Sequence, residues 1–337
     1  MITIKEIARL AGVSAKTAER ALSGVTKDKR RDAKERADRV RRIAAEHGYR
    51  PSELALSLRR GSSRTLGIMV DILTDQFLAA SVETAMDAAG RSGYRTSLQI
   101  VRFSPERTAD AMEFFLSSGV EGIIGSCTSE QLPEAMMNSL TGRGFPYFSL
   151  CGRSEYEVSS ASPDYKQALP DAVKYLADRG HKRIILALFK GKKYDNALSA
   201  EIFDASCKKY GVIPECRIHS DCRQAAELAA EQPEAVILYG KYSMRMYMDK
   251  CSELGNIPDT VGIFNEWTLA AALHFPLCGV ILEDAEHSVR QAIAQILTEI
   301  RGAARQHLQI PARFIPAEST GKLKVVDLAN QRFSIQE

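Results

Sequence analysis

The sequence predicts an N-terminal all-α helix-turn-helix headpiece followed by an α/β body of two lobes, each a parallel sheet with crossover helices. Three observations predict it. The first 22 residues hold two short helical patterns broken by Ala-Gly-Val-Ser. The first 65 residues carry 17 Lys and Arg against 8 Asp and Glu, a net of +9, and the remainder nets −6. From residue 65, apolar runs of strand length alternate with helical stretches, and that rhythm restarts after residue 160.

The headpiece elements follow from local chemistry. Thr3 and Glu6 have the spacing of a capping box. Ile4, Ile7, Ala8 and Leu10 form one apolar stripe, and Gly12 suits the left-handed residue that ends a helix. Ser14 can cap a second helix with Val13, Ala18, Ala21 and Leu22 inward. That helix turns Ala15, Lys16, Thr17, Glu19 and Arg20 outward, where they can face the major groove of DNA. A third helix, 32–47, has Ala37, Val40, Ile43 and Ala44 as its stripe and stops at Gly48. Lys27, Lys29, Arg30, Arg31 and Lys34 precede that stripe and suit phosphate contacts. The alternative is an ordinary helical hairpin with a solvated basic face. The coincidence of helices and positive charge on one segment favours a polyanion, because Lys and Arg displace condensed counterions.

Residues 49–65, YRPSELALSLRRGSSRT, read as a break at Pro51, a short helix and a Gly-Ser-Ser linker. A helix this short needs a partner in water. Leu54 and Leu58 lie at i, i+4. An exposed Leu there can wedge into the minor groove, or both can pack on the body.

In the body, the strand-like runs are TLGIMVDI, YRTSLQIV, VEGIIGSC, FPYFSLCG, KRIILALF, CRIHS, AVILYG, TVGIFN, VIL and ARFIPAEST. Helices are expected at 77–92, 105–119, 132–144, 166–180, 195–211, 222–232, 242–254 and 284–304. Two such modules in series suggest two lobes with a cleft beyond the carboxyl ends of their strands.

Composition excludes several classes. No run of 18 apolar residues exists and the N-terminus lacks a signal-peptide core, so a cytoplasmic location without a membrane is expected. Seven scattered cysteines without a CxxC pair fit reduced thiols, and no histidine cluster makes a metal site of Cys216, His219 and Cys222. There is no GxSxG, P-loop, HExxH or GxGxxG after a strand, so neither an enzyme nor a cofactor is expected.

These segments together resemble the LacI/GalR family of bacterial transcription regulators across nearly the whole chain. TIKEIARLAGVS followed by the RAL of residues 20–22 is the most specific part. GYRPSELALSLR, RTLGIMV, GVEGII, RGHKRI and the late EST follow in family order. The resemblance implies a headpiece at 1–50, a hinge helix and linker at 51–63, and a body like a periplasmic sugar-binding protein. The body would divide into an N-subdomain, 64–157 and 285–309, and a C-subdomain, 158–284 and 310–337. It implies a homodimer on a pseudo-palindromic double-stranded operator, read as a repressor, with a sugar or sugar-like effector in the cleft.

Carried over by position, Ala15, Lys16 and Arg20 would face base edges. Thr17 and the basic residues Lys27, Lys29 and Arg30 would hold phosphates, with the caps Thr3 and Ser14 in the same DNA-binding set. Leu58 would be the wedge, with Ala55 beside it. Family members often have a larger residue at Ala15 and a serine at Glu19. The departure opens an alternative, a small-molecule sensor whose headpiece has lost operator recognition.

The cleft departs further. The family's Asn-Pro-Phe is Asp75-Gln76-Phe77, its helix arginine is Ser199, its Asn-Asp is Gly240-Lys241 and its Asp-Asp is Asn265-Glu266. Phe77 and Trp267 suit a ring; Asp75, Asp164 and Asn265 suit hydroxyls; Arg153 or Lys241 could replace the missing cation. An aspartate at such a turn also serves as an N-cap, and a lone tryptophan also serves as packing.

Overall fold

The computed structural model describes residues 2–22, 31–49, 57–58, 60–190, 193–269 and 274–317. It divides into two compact units, Met1–Arg64 and Thr65–Glu337.

The first unit contains α1 (Ile4–Leu10), α2 (Ala15–Leu22) and α3 (Arg31–Glu46). The capping box is formed: Thr3 N–H donates to Glu6 Oε2 at 2.7 Å, and Glu6 N–H donates to Thr3 Oγ1 at 3.4 Å. Gly12 takes φ +64°, a conformation that favours glycine, and lets the chain reverse into α2. Ser14 Oγ accepts from Thr17 N–H at 3.1 Å and so caps α2. The core is Ile7, Ala8, Ala11, Ala18, Ala21, Ala37, Val40 and Ala44. Six alanines allow close helix approach; Ile7 and Val40 are the larger fully buried side chains, and Ile4, Val13, Leu22 and Ile43 pack against them partly buried. Arg41 of α3 donates from Nε to the Ala21 carbonyl at 3.2 Å, satisfying an acceptor in the last turn of α2.

The second unit runs β1 (Thr65–Val70), α4 (Gln76–Arg91), β2 (Arg95–Ile100), α5 (Pro105–Ser117), β3 (Gly122–Gly125), α6 (Glu134–Gly142), β4 (Tyr147–Ser149) and β5 (Ser159–Asp164). It continues with α7 (Ala168–Asp178), β6 (Arg183–Phe189), α8 (Lys193–Tyr210), β7 (Ile213–His219), α9 (Gln224–Ala230), β8 (Ala235–Tyr239) and α10 (Lys241–Leu254). It closes with β9 (Asp259–Asn265), β10 (Gly279–Glu283), α11 (Ala285–Glu299) and β11 (His307–Pro316). The strand order is β2-β1-β3-β4-β5-β11-β10-β9-β8-β6-β7.

Two halves meet at β11. Residues 307–311 pair in parallel with β5, and residues 312–316 pair antiparallel with β10. Pro311, the last residue before the switch, has no N–H to give the ladder. The other pairs are parallel, which is why most strands read as nearly continuous apolar runs. In the first half, one sheet face buries Leu66, Ile68 and Val70 under Val82 of α4 and Ile293 of α11. The other buries Met69 and Ile123 under Met112 and Phe115 of α5. In the second half, α7 and α8 cover one face through Val173 and Phe203, and α9 and α10 cover the other through Leu228 and Met244.

The C-subdomain is expected to begin at residue 158; β5, just beyond it, pairs with β4 on one side and with residues 307–311 of β11 on the other. Its sequence, SSASPD, has no apolar run, and its buried faces are filled by Ser159, Ser160 and Ser162 with Ala161. Ser159 Oγ donates to Glu299 Oε1 at 2.5 Å, so this strand is anchored by hydroxyls rather than by alkyl packing.

Candidate functional site

On α2 the burial of Ala18 and Ala21 fixes which side faces out. By helical periodicity Lys16, Glu19 and Arg20 are centred opposite that seam, with Ala15 and Thr17 on its flanks. All five are exposed. Ser14 Oγ and Thr17 Oγ1 lie 2.8 Å apart. At α1 both Thr3 donors go to Glu6, and this holds the Glu6 carboxyl below the usual range. Leu58 is 77% exposed. Lys27, Lys29, Arg30, Ala55 and most of the expected hinge helix lie outside the described residues.

In the body, polar and aromatic contacts join the two halves. Asp75 is the N-cap of α4: Oδ1 accepts from Phe77 N–H at 3.0 Å and Leu78 N–H at 3.2 Å. Its Oδ2 pairs with Lys241 Nζ, the first residue of α10, at 3.1 Å. These side chains are 16% and 19% exposed, so water screens the pair poorly. Phe77 and Trp267 meet beside it with ring centroids 5.9 Å apart, tilted by 48°. A second ion pair, Glu130 to Lys190 at 3.4 Å, is exposed. On α8, Asp195 Oδ1 accepts from Ser162 Oγ of β5 at 2.7 Å. Asp195 Oδ2 is buried without a hydrogen bond among the described residues and leaves no room for a Cβ at Gly152.

The other expected ligand residues make local bonds. Asp164 Oδ1 accepts from Lys166 N–H at 3.1 Å. Ser199 Oγ donates to the Asp195 carbonyl at 2.7 Å within α8. Asn265 Oδ1 accepts from both Thr268 N–H and Thr268 Oγ1 at 3.1 Å, closing the turn after β9. The turn chemistry continues at Glu266, which accepts Ala285 N–H at 2.9 Å and Glu286 N–H, and so caps α11. Burial raises the Glu266 carboxyl against the lowering effect of those bonds.

Cavities adjoin the first turns of α8. One of about 20 Å³, beside Asp195, Ser199, Tyr165 and Tyr239, has room for one water. The other, about 540 Å³, opens laterally between Thr128–Glu130 and Arg153 on one side and Lys190, Asn196, Ala200 and Ile218 on the other. Arg153 is the one expected ligand residue that lines it. The structure brings Asp75 to Lys241 and Phe77 to Trp267, and it leaves Asp164, Ser199 and Asn265 in separate local networks. Lys190 and Asn196 were missed, although the basic run after β6 marks a strand end where side chains face a cleft.

On β11, His307 bonds Ser160 Oγ through Nδ1 at 2.7 Å and Gln309 through Nε2 at 2.8 Å. Burial first, then the Arg153 charge, pushes its pKa below the usual value. Asp71, at the end of β1, accepts from Gln131 Nε2 at 2.7 Å and Phe103 N–H at 3.0 Å, and burial raises its pKa. Among the described residues no group of three or more His, Cys, Asp or Glu could hold a metal ion, and no helix is long and apolar enough to cross a membrane.

The model of "bacterial regulatory proteins, lacI family" matches residues 3–52. That of "periplasmic binding proteins and sugar binding domain of LacI family" matches 63–236, and a "periplasmic binding protein-like domain" matches 173–320. Catabolite control protein B of Bacillus subtilis (strain 168) is 26% identical over 68% of this chain and 72% of its own length. The HTH-type transcriptional regulator TreR of Escherichia coli (strain K12) is 25% identical over 92% of this chain and 98% of its own. Among solved structures, the lac repressor dimer bound to operator and the anti-inducer ONPF aligns with a TM-score of 0.76 at 19% identity, covering 93% of this chain and 97% of that one.

Proposed function

The chain belongs to the lacI family of bacterial regulatory proteins, and from that premise we propose that it is a homodimeric, cytoplasmic repressor whose hold on DNA is set by a small molecule in the body. It is a DNA-binding transcriptional regulator and not an enzyme.

The observation that carries the finer reading is α2: a capped helix on a small alanine-rich core, with Lys16, Glu19 and Arg20 outward on a unit of strong positive charge. In this reading Arg20 and Lys16 reach base edges, and Thr17 with the exposed cap residues holds phosphates. Glu19 accepts from a cytosine amine. Lys27, Lys29 and Arg30 add phosphate contacts, and Leu58, beside Ala55, enters the minor groove. Two headpieces read a pseudo-palindrome because a dimer has twofold symmetry. Ligand and operator affinities are linked reciprocally, each changing the other by the same factor.

Selection of bound sequences from a random duplex pool, with full-length protein at physiological salt, tests this. Two half-sites in inverted repeat are expected. A second reading, a sensor that no longer reads sequence, is favoured by Ala15 and Glu19: a short side chain and a carboxylate on the groove face. It predicts no enrichment and weak binding with a steep salt dependence.

A further inference from the structure

We propose that the ligand of this chain occupies the lateral cleft, away from Asp75, Phe77 and Asn265, and is a polyhydroxylated monocarboxylic acid read by Arg153. The inference rests on the reading of the body as a ligand-responsive unit.

The central positions are already engaged. Asp75 gives one oxygen to the cap of α4 and the other to Lys241. Asn265 Oδ1 is taken by Thr268, and the only hydroxyl proton of Ser199 goes to a helix carbonyl. Phe77 is in tilted ring contact with Trp267. A ligand there would have to break a poorly screened ion pair and leave both charges needing new partners.

The lateral cleft asks for no such exchange. Among the described residues four charged side chains line it: Glu130, Arg153, Glu155 and Lys190. Lys190 pairs with Glu130. Arg153 is exposed and makes no hydrogen bond or ion pair among the described residues. A guanidinium in a concave site presents a planar fork that matches a carboxylate bidentately. Glu155, two residues along the same loop, repels a second negative charge, so one carboxylate fits better than a phosphate dianion. Asn196 Nδ2 donates to the Phe189 carbonyl at 2.9 Å, which leaves Oδ1 to accept a ligand hydroxyl. Thr128 Oγ1 donates to Gln131 Oε1 at 3.0 Å and keeps its lone pairs for another. About 540 Å³ suits a compact metabolite.

The test uses full-length protein, by thermal shift and calorimetric titration. The probes are gluconate, galactonate, glucuronate and galacturonate, with glucose and glucose 6-phosphate for contrast. At least one acid is expected to bind at millimolar concentration or below while glucose does not. Arg153→Gln should melt normally without ligand and bind that acid roughly tenfold to a hundredfold more weakly; Arg153→Lys should recover part of the loss. Silence from all four acids overturns the proposal. So do equal binding of glucose, tighter binding of glucose 6-phosphate, and undiminished acid binding by Arg153→Gln. Operator affinity measured with each probe separates the two levels. A neutral sugar that changes operator affinity sinks the acid and keeps the ligand-responsive reading. An acid that binds through Arg153 and leaves operator affinity unchanged keeps the site and sinks the reading.

Discussion

On α2, Ala15, Lys16, Thr17, Glu19 and Arg20 all stand exposed, and the fully buried core beneath them is alanines with Ile7 and Val40. Across the body, Asp75, Asn265 and Ser199 are held in caps, turns and helix bonds. The headpiece separates what folds it from what it presents. The body uses the same residue types for both ends, so a position alone does not say whether a side chain there meets ligand or protein. A polar residue on a helix face is outward by periodicity, whereas one at a strand-to-helix turn is divided between the backbone and the cleft.

That contrast can be broken most forcefully from below. Ile7→Ala removes the largest fully buried side chain of the headpiece core, whose other buried members are Val40 and alanines, and should cost about 2–5 kcal/mol. Calorimetry should show the headpiece transition lost or far lowered and the body transition unchanged. If the headpiece still melts where it did, the two large side chains do not carry that core.

Next in size is the presented face itself. Arg20→Ala should weaken binding to the selected operator by about 1–3 kcal/mol in a gel-shift titration, with little change in melting. Lys16→Ala should weaken it too. An unchanged specificity ratio for both would move recognition off α2.

In the body the expected effect is on stability. Lys241→Met keeps the alkyl stem and removes the charge that faces Asp75, while the cap of α4 remains. A loss of about 1–2 kcal/mol in the body transition is expected, between the values for exposed and buried pairs. No loss in denaturant titration would mean the pair is as screened as Glu130–Lys190.

The smallest effect is on pH dependence. Burial, then Arg153, lowers the pKa of His307, and burial, then Arg217, lowers that of His219. Each takes up a proton more readily unfolded than folded. Body stability should therefore hold above the unfolded value of about 6.5 and decline as pH falls through it toward the lowered folded values. Denaturant midpoints measured from pH 7.5 down to about pH 5.5 should fall for the wild type, and less steeply for His307→Gln.

The caps of the headpiece were legible to the single residue: Thr3, Glu6, Gly12 and Ser14 are backbone rules written in side chains, and each acts within three or four positions, whereas Leu10, expected in the apolar stripe of α1, is 46% exposed. The body helices and most strands were legible because parallel strands buried on both faces read as apolar runs. β5 was not, because Ser159, Ser160 and Ser162 are buried through bonds to partners as distant as Glu299 and His307. The Asp75–Lys241 pair was not legible either. Both residues were noted for the cleft, but no local spacing joins positions so far apart in the chain.

β11 sets the mechanics of the body. Its first part is laced in parallel to β5 and its second antiparallel to β10, with Pro311 at the changeover. A shared ribbon of this kind resists sliding of one half past the other, since sliding would strip both ladders at once. Pro163 of β5 and both Pro311 and Pro316 of β11 have no N–H to give these ladders. A turn of one half against the other would load both ladders of β11 at residues 311–312, where parallel pairing gives way to antiparallel.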